Sequence, residues 1–179
     1  RPCPFCLIAS KHPPQTHPIQ PSNDTIGLEK PFVCHNGDAH ILISTPTILA
    51  FLDIMPFTHG HTLVIPRNHC MNIAETSATD MMSLGAYLPL LARCVMKAVG
   101  WKDFNIIQNN GAAASQVIYH THFHIIPRKP LDDPTFYDTP CTSTIAYGQT
   151  RRDLDDRDGA KLAKKIRGEI WKEFVELKR

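Results

Sequence analysis

In Tyr119-His120-Thr121-His122-Phe123-His124-Ile125-Ile126-Pro127, histidine takes every second position from 120 to 124, shortly before a proline. This alternation constrains the fold most, because side chains two apart on a β-strand point the same way at a spacing of ~7 Å. The segment predicts a strand with His120, His122 and His124 on one face and Thr121, Phe123 and Ile125 on the other. One face carries chemistry and the other carries core. Imidazole can act as nucleophile, base, acid or neutral metal ligand near pH 7. A single histidine in such a strand reads as incidental or metal-binding; three on one face read as a reactive site.

The 179 residues suit one compact domain with extensions. A net charge of +2, with no Lys/Arg run beyond Lys161 to Arg167, does not imply nucleic acid. No apolar run approaches the roughly 20 residues needed to cross a membrane, and the first residues lack a basic stretch followed by an apolar core. A soluble, cytoplasmic protein is expected, with the nucleus as a second compartment. Cysteines at 3, 6, 34, 70, 94 and 141 are spread too widely for a disulfide framework. The pair Cys3-Pro4-Phe5-Cys6 is different, since a two-residue spacer lets both thiolates reach one ion. Free thiols are the alternative.

The compact domain is expected over residues 1–130, with a proline-rich loop or insertion at 11–30, and a C-terminal extension over 131–179. Phe32 to Cys34, His40 to Ile43, Ile48 to Ile54 and Gly60 to Pro66 are strand candidates, with turns at Asn36-Gly37 and Thr58-His59-Gly60. From about Ser77 the apolar spacing becomes helical through Met81, Leu84, Leu88, Leu91, Val95 and Met96, with Thr79 or Ser77 placed to cap the start. That helix stops at Gly100 and should kink at Pro89. Strands at Phe104 to Gln108 and Gln116 to Ile126 follow, joined by small residues. After a loop over 127–149, Leu162, Ile166, Ile170 and Phe174 recur every four residues within Asp153 to Leu177, an amphipathic helix whose mixed-charge face favours packing on the domain or on a partner subunit. The architecture is α+β, an antiparallel sheet of about five strands with a long helix and an added C-terminal helix.

The His-x-His-x-His segment resembles the signature of the histidine triad (HIT) family. Phe51 to Ile54 with Gly60 to His69 is similar to a second signature block, and Asn109-Asn110-Gly111 with Gln116 to the loop before the triad. The N-terminal Cys-x-x-Cys points to the Hint-like branch. The resemblance implies that His122 is a nucleophile toward the α-phosphorus of a nucleotide, with His124 donating to the phosphoryl oxygens. It implies phosphate-side contacts at Asn109, Ser115 and Gln116, and a nucleoside pocket from Leu7, Ile8, Phe51, Leu52, Asp53 and Ile54. Asp53 is either a ribose-hydroxyl acceptor or an ordinary strand-end acid. Structural zinc is implied on Cys3, Cys6, His69 and His120, and His61 takes a supporting role. Ser115 stands where the family often has glycine, and Val117 where it often has serine. His12, His17, His35, His40 and His59 read as surface histidines. The resemblance implies a homodimer that forms a covalent nucleotidyl-histidine. Its substrate is a purine nucleotide, most simply an AMP–amine conjugate hydrolysed by a nucleoside phosphoramidase to release AMP. The alternatives are a diadenosine polyphosphate hydrolase or phosphorylase, and a nucleotide-binding scaffold without turnover.

Overall fold

The structure, a computed structural model, describes residues 2–15, 38–134 and 152–176. The strand expected at 32–34, the turn at Asn36-Gly37, Cys34, Cys141, His17 and His35 lie outside the described residues, as does most of the proline-rich insertion. Five strands, β1 (Ile41–Ser44), β2 (Ile48–Leu52), β3 (Thr62–Pro66), β4 (Asp103–Gln108) and β5 (Phe123–Arg128), form one antiparallel sheet in the order β1-β2-β3-β5-β4. Helices are α1 (Pro4–Lys11), α2 (Ala78–Val99) and α3 (Asp156–Glu176).

All five residues of β2 are buried, because both faces of the sheet are covered. Ile48, Ala50 and Leu52 pack toward Leu84, Leu91 and Val95 of α2 and Leu162, Ile166 and Ile170 of α3. Leu49 and Phe51 point the other way, into a smaller cluster with Phe5, Ile8 and Ala9 of α1. A short strand buried on both sides reads as a continuous apolar run, which is why Ile48 to Ile54 looked uniform in the sequence.

Helix α2 begins where Ser77 accepts the Asp80 amide at 3.1 Å and returns its hydroxyl to the Asp80 carboxylate at 2.8 Å. It ends at Gly100, whose φ of 81° only glycine adopts without strain. The helix continues past the exposed Pro89 to Val99. At 22 residues α2 is, contrary to expectation, long and apolar enough to cross a membrane by length and composition. Its apolar stripe is covered by the sheet and α3.

Helix α3 packs on α2 and β1. Glu173 bridges Arg93 and Lys97 at 3.1 and 2.7 Å, and these cations hold its carboxyl below the usual range. Arg167 donates to the Ile41 carbonyl at 3.0 Å. His40 is not a surface histidine. It is 8% exposed beneath α3, 3.2 Å from Asp156. Burial lowers its pKa more than Asp156 raises it, with Arg167 adding to the lowering, so the contact at neutral pH joins an uncharged imidazole to a carboxylate.

Candidate functional site

The three histidines do not share one strand. β5 starts at Phe123, so only His124 lies in it, paired with Leu63 on one side and Ile107 on the other. Upstream the chain makes a tight bend in which the His120 amide donates to the Ile118 carbonyl at 2.9 Å. The next amide, of Thr121, donates to Cys70 at 2.7 Å. These bonds compete with sheet pairing and turn His120 toward His69, the two rings meeting edge to face with centroids 5.2 Å apart. His122 and His124 still fall on one side, 4.8 Å apart.

His122 is 5% exposed, and its Nδ1 lies 2.6 Å from the His120 carbonyl. A carbonyl only accepts, so Nδ1 carries the proton and Nε2 keeps its lone pair. Burial pushes the pKa below 6.5, outweighing the His120 carbonyl and Asp53, which raise it. The result is a neutral, oriented imidazole.

A second chain of contacts sets His124. The Phe57 amide donates to His61 Nδ1 at 3.2 Å, and His61 Nε2 lies 2.9 Å from His124 Nδ1. An amide cannot accept, so His61 donates from Nε2, and the remaining N–H of His124 is its Nε2–H. Asp53 Oδ2, 3.3 Å from the same His61 Nδ1, would favour a proton there. We assign the tautomer from Phe57, whose contact is shorter and runs in one direction only. Asp53, His61 and His124 also stand close enough to hold an ion together, although His61 and His124 already hydrogen-bond each other.

The His122 and His124 rings line a largely apolar cavity of about 350 Å³, a size that suits a small ligand. Ile8, Phe51, Asp53, Ile54, Asn109 and Ser115 line it, and three residues named with them from the sequence do not. Leu52 points to α2, because successive strand residues alternate faces. Leu7 is on α1, an element the sequence reading did not assign, whose cavity-facing residues are Pro4, Phe5 and Ile8. Gln116 is 3% exposed, its amide accepting from Gly111 at 2.7 Å and donating to the carbonyls of Met71 and Ile118. It fastens the loop instead of facing the cavity.

Phe5, Met55, Phe57, Leu63, Ile107, Ile118 and Ile126, none of them singled out by the sequence, also line the cavity, together with Val117. Helical spacing from Phe5 to Ile8 and strand alternation from His124 to Ile126 are the signals that could have found some of them. Phe5 meets the His122 ring edge to face, with centroids 5.2 Å apart. Ser115 has φ 62°, a left-handed conformation that costs a residue with a β-carbon and that glycine adopts freely.

Cys3, Cys6, His69 and His120 converge, all four ligand atoms lying within 4.8 Å of one another. Cys3 Sγ is 3.5 Å and Cys6 Sγ 3.6 Å from His120 Nδ1, and Cys6 Sγ is 3.4 Å from His69 Nδ1. Tetrahedral zinc with ordinary Zn–S and Zn–N bonds places sulfur and nitrogen ligands about 3.5 Å apart. His120 Nε2 donates to the Pro66 carbonyl at 2.9 Å, which leaves Nδ1 to bind and holds the ring in place. Burial lowers the His120 pKa to about 4, keeping the ring neutral as a ligand must be. Burial and the neighbouring Cys3 push the Cys6 thiol up to about 11, and a bound cation would reverse that preference. The group is compatible with zinc.

Comparison with known proteins shows the family. The HIT domain family model matches residues 35–131. An adenylylsulfatase, HINT3, from Arabidopsis thaliana is 46% identical over 84 residues, 47% of this chain and 43% of that protein. The adenosine 5′-monophosphoramidase hnt1 of Schizosaccharomyces pombe is 45% identical over 87 residues, 49% of this chain and 62% of that one. The matched region thus spans less than two thirds of either relative. A zinc-bound histidine triad family protein from Mycobacterium smegmatis has 26% identity and a TM-score of 0.66, covering 98% of this chain and 97% of its own. With the family model spanning more than half of its residues, this chain belongs to the HIT domain family.

Proposed function

We propose that the protein is a purine nucleoside phosphoramidase that works through a covalent nucleotidyl-histidine and releases AMP. The observation that carries this reading is the 2.6 Å bond from His122 Nδ1 to the His120 carbonyl, on a buried ring that lines the cavity. His122 Nε2 attacks the α-phosphorus, the P–N bond breaks, and the amine leaves with a proton taken from solvent, which the water of the second step returns. Water then attacks the same phosphorus, breaking the P–His122 bond and releasing AMP. His124, Asn109 and Ser115 would face the phosphoryl oxygens, where positioned donors matter more than a strong base. Asp53 would accept the ribose hydroxyls, and Phe5, Ile8, Phe51 and Ile54 would enclose the base.

Among the described residues lining the cavity there is no Lys or Arg, and Asp53 is the acidic one. That lining supports a single phosphate over a polyphosphate tail. Zinc on Cys3, Cys6, His69 and His120 would be structural, fastening α1 to the segment that carries His122 and leaving no coordination position open. A homodimer would pair along β4, an edge strand whose Phe104 and Ile106 are 41% and 43% exposed. Sedimentation equilibrium at micromolar concentration is expected to show twice the monomer mass, and a monomer there would refute the pairing. The cytoplasm, with the nucleus second, is the proposed compartment.

The function is tested by AMP release from adenosine 5′-phosphoramidate and from diadenosine tetraphosphate in parallel. The phosphoramidate should turn over faster. Preference for the dinucleotide would move the protein to the polyphosphate hydrolases, and AMP binding with no turnover of either would make it a scaffold.

A further inference from the structure

The loop between β2 and β3 supplies Asp53, Ile54, Met55 and Phe57 to the cavity. Several of its bonds are internal: Asp53 N to the His61 carbonyl at 2.9 Å, Met55 N to Asp53 Oδ1 at 2.9 Å, and Phe57 N to His61 Nδ1. Those bonds set the shape of the loop, and His61 Nε2, 2.9 Å from His124 Nδ1, ties its end to β5. Its far end is tied by the Thr58 hydroxyl to the Pro127 carbonyl at 2.7 Å. Its near end is tied from the C-terminal extension, where the Leu154 amide donates to the Ile54 carbonyl at 2.7 Å.

Leu154 is held in turn by the start of α3. Asp155 accepts the amides of Arg157 and Asp158 and opens the helix, and Asp156 reaches His40. Gly159 closes the group. A β-carbon there would lie 2.4 Å from His40 Nε2 and 3.0 Å from Leu154 Cδ2, so that either the imidazole or the helix must move. His40 is itself next to the cavity wall: its carbonyl accepts the Leu52 amide at 3.1 Å, and its neighbour Ile41 pairs with the cavity residue Phe51. Glycine is a poor helix former, by about 1 kcal/mol relative to alanine, so propensity does not account for it here and close approach does.

We infer that Leu154, Asp156 and Gly159 are positioning residues for nucleotide binding, which set the wall carrying Asp53 and Ile54 through the Ile54 carbonyl and His40 without touching the ligand. This inference rests on the nucleotide reading of the cavity.

The test is Gly159→Ala, with AMP affinity measured directly by calorimetry, kcat and KM on the phosphoramidate, and the thermal midpoint as a check on folding. AMP Kd and KM should rise about tenfold with kcat held within about twofold, because a displaced wall weakens binding while His122 keeps its own partners. Gly168→Ala, on the same helix with open space around it, should leave both constants unchanged. An unchanged Kd in Gly159→Ala, or an equal loss in Gly168→Ala, overturns the inference alone. Failure of the wild-type protein to bind AMP overturns the nucleotide reading and this inference with it.

Discussion

His122→Ala is expected to lower phosphoramidate turnover by at least about 10³-fold while AMP binding changes only a few-fold. Among the described residues lining the cavity, the ring is the one group with a lone pair aimed by a short bond on its opposite nitrogen, and alanine supplies no electron pair to phosphorus. Affinity should survive because most of the lining, from Phe5 and Ile8 to Phe51 and Ile54, stays in place. The pH profile of the wild type sharpens the test. Reaction needs neutral His122, and burial sets its pKa below 6.5, so activity should persist as pH falls through 6.5 and fail only lower. Rapid quench of labelled substrate should trap label on wild-type protein and none on the variant. A variant with more than about a tenth of wild-type turnover would remove His122 from the chemistry.

Arg67→Ala should cost about 3 kcal/mol of stability and weaken both zinc and AMP binding. The Arg67 guanidinium donates to the carbonyls of Ala9 and His12 at 2.8 and 2.6 Å, at the C-terminal end of α1, and also to the Thr45 carbonyl and the Ser44 hydroxyl. It thereby answers helix-end carbonyls that have no partner within the helix and places positive charge at the negative end of the helix dipole. Helix α1 carries Cys6 and three cavity residues, with Cys3 capping its start, so loosening it acts on both sites at once. Urea denaturation and competition for zinc with a chromophoric chelator measure the two effects. Arg67→Lys should recover little, because a single ammonium cannot reach the same set of carbonyls. A loss under 1 kcal/mol with zinc affinity intact would show that α1 is held by its apolar face alone.

Short-range signals carried over well into the structure. Ser77 and Gly100 bound α2, the run from Ile48 holds β2, and the four-residue spacing from Leu162 to Phe174 lies on α3. Each is a periodicity or a cap, physics that acts over a few residues. Leu7 and Leu52 were misplaced for a different reason. Which face of a strand or helix meets the cavity depends on what covers the other face, and for β2 that is α2 and α3, far along the chain. Gln116 was read as a phosphate donor from its place in the loop, but its amide is used by Gly111, Met71 and Ile118.

The sequence by itself determined the two ends of α2 and the α+β class, because caps and apolar spacing are local properties. The family resemblance already set His120 apart from His122 and His124; tertiary structure alone decided how the backbone parts them. The bend at Ile118 to His120 and the bond from Thr121 to Cys70 swing His120 to the cysteines and leave its carbonyl for His122. It also decided that α3 reaches the cavity wall through Leu154, since a hydrogen bond between residues 54 and 154 exists only once the layers between them have packed.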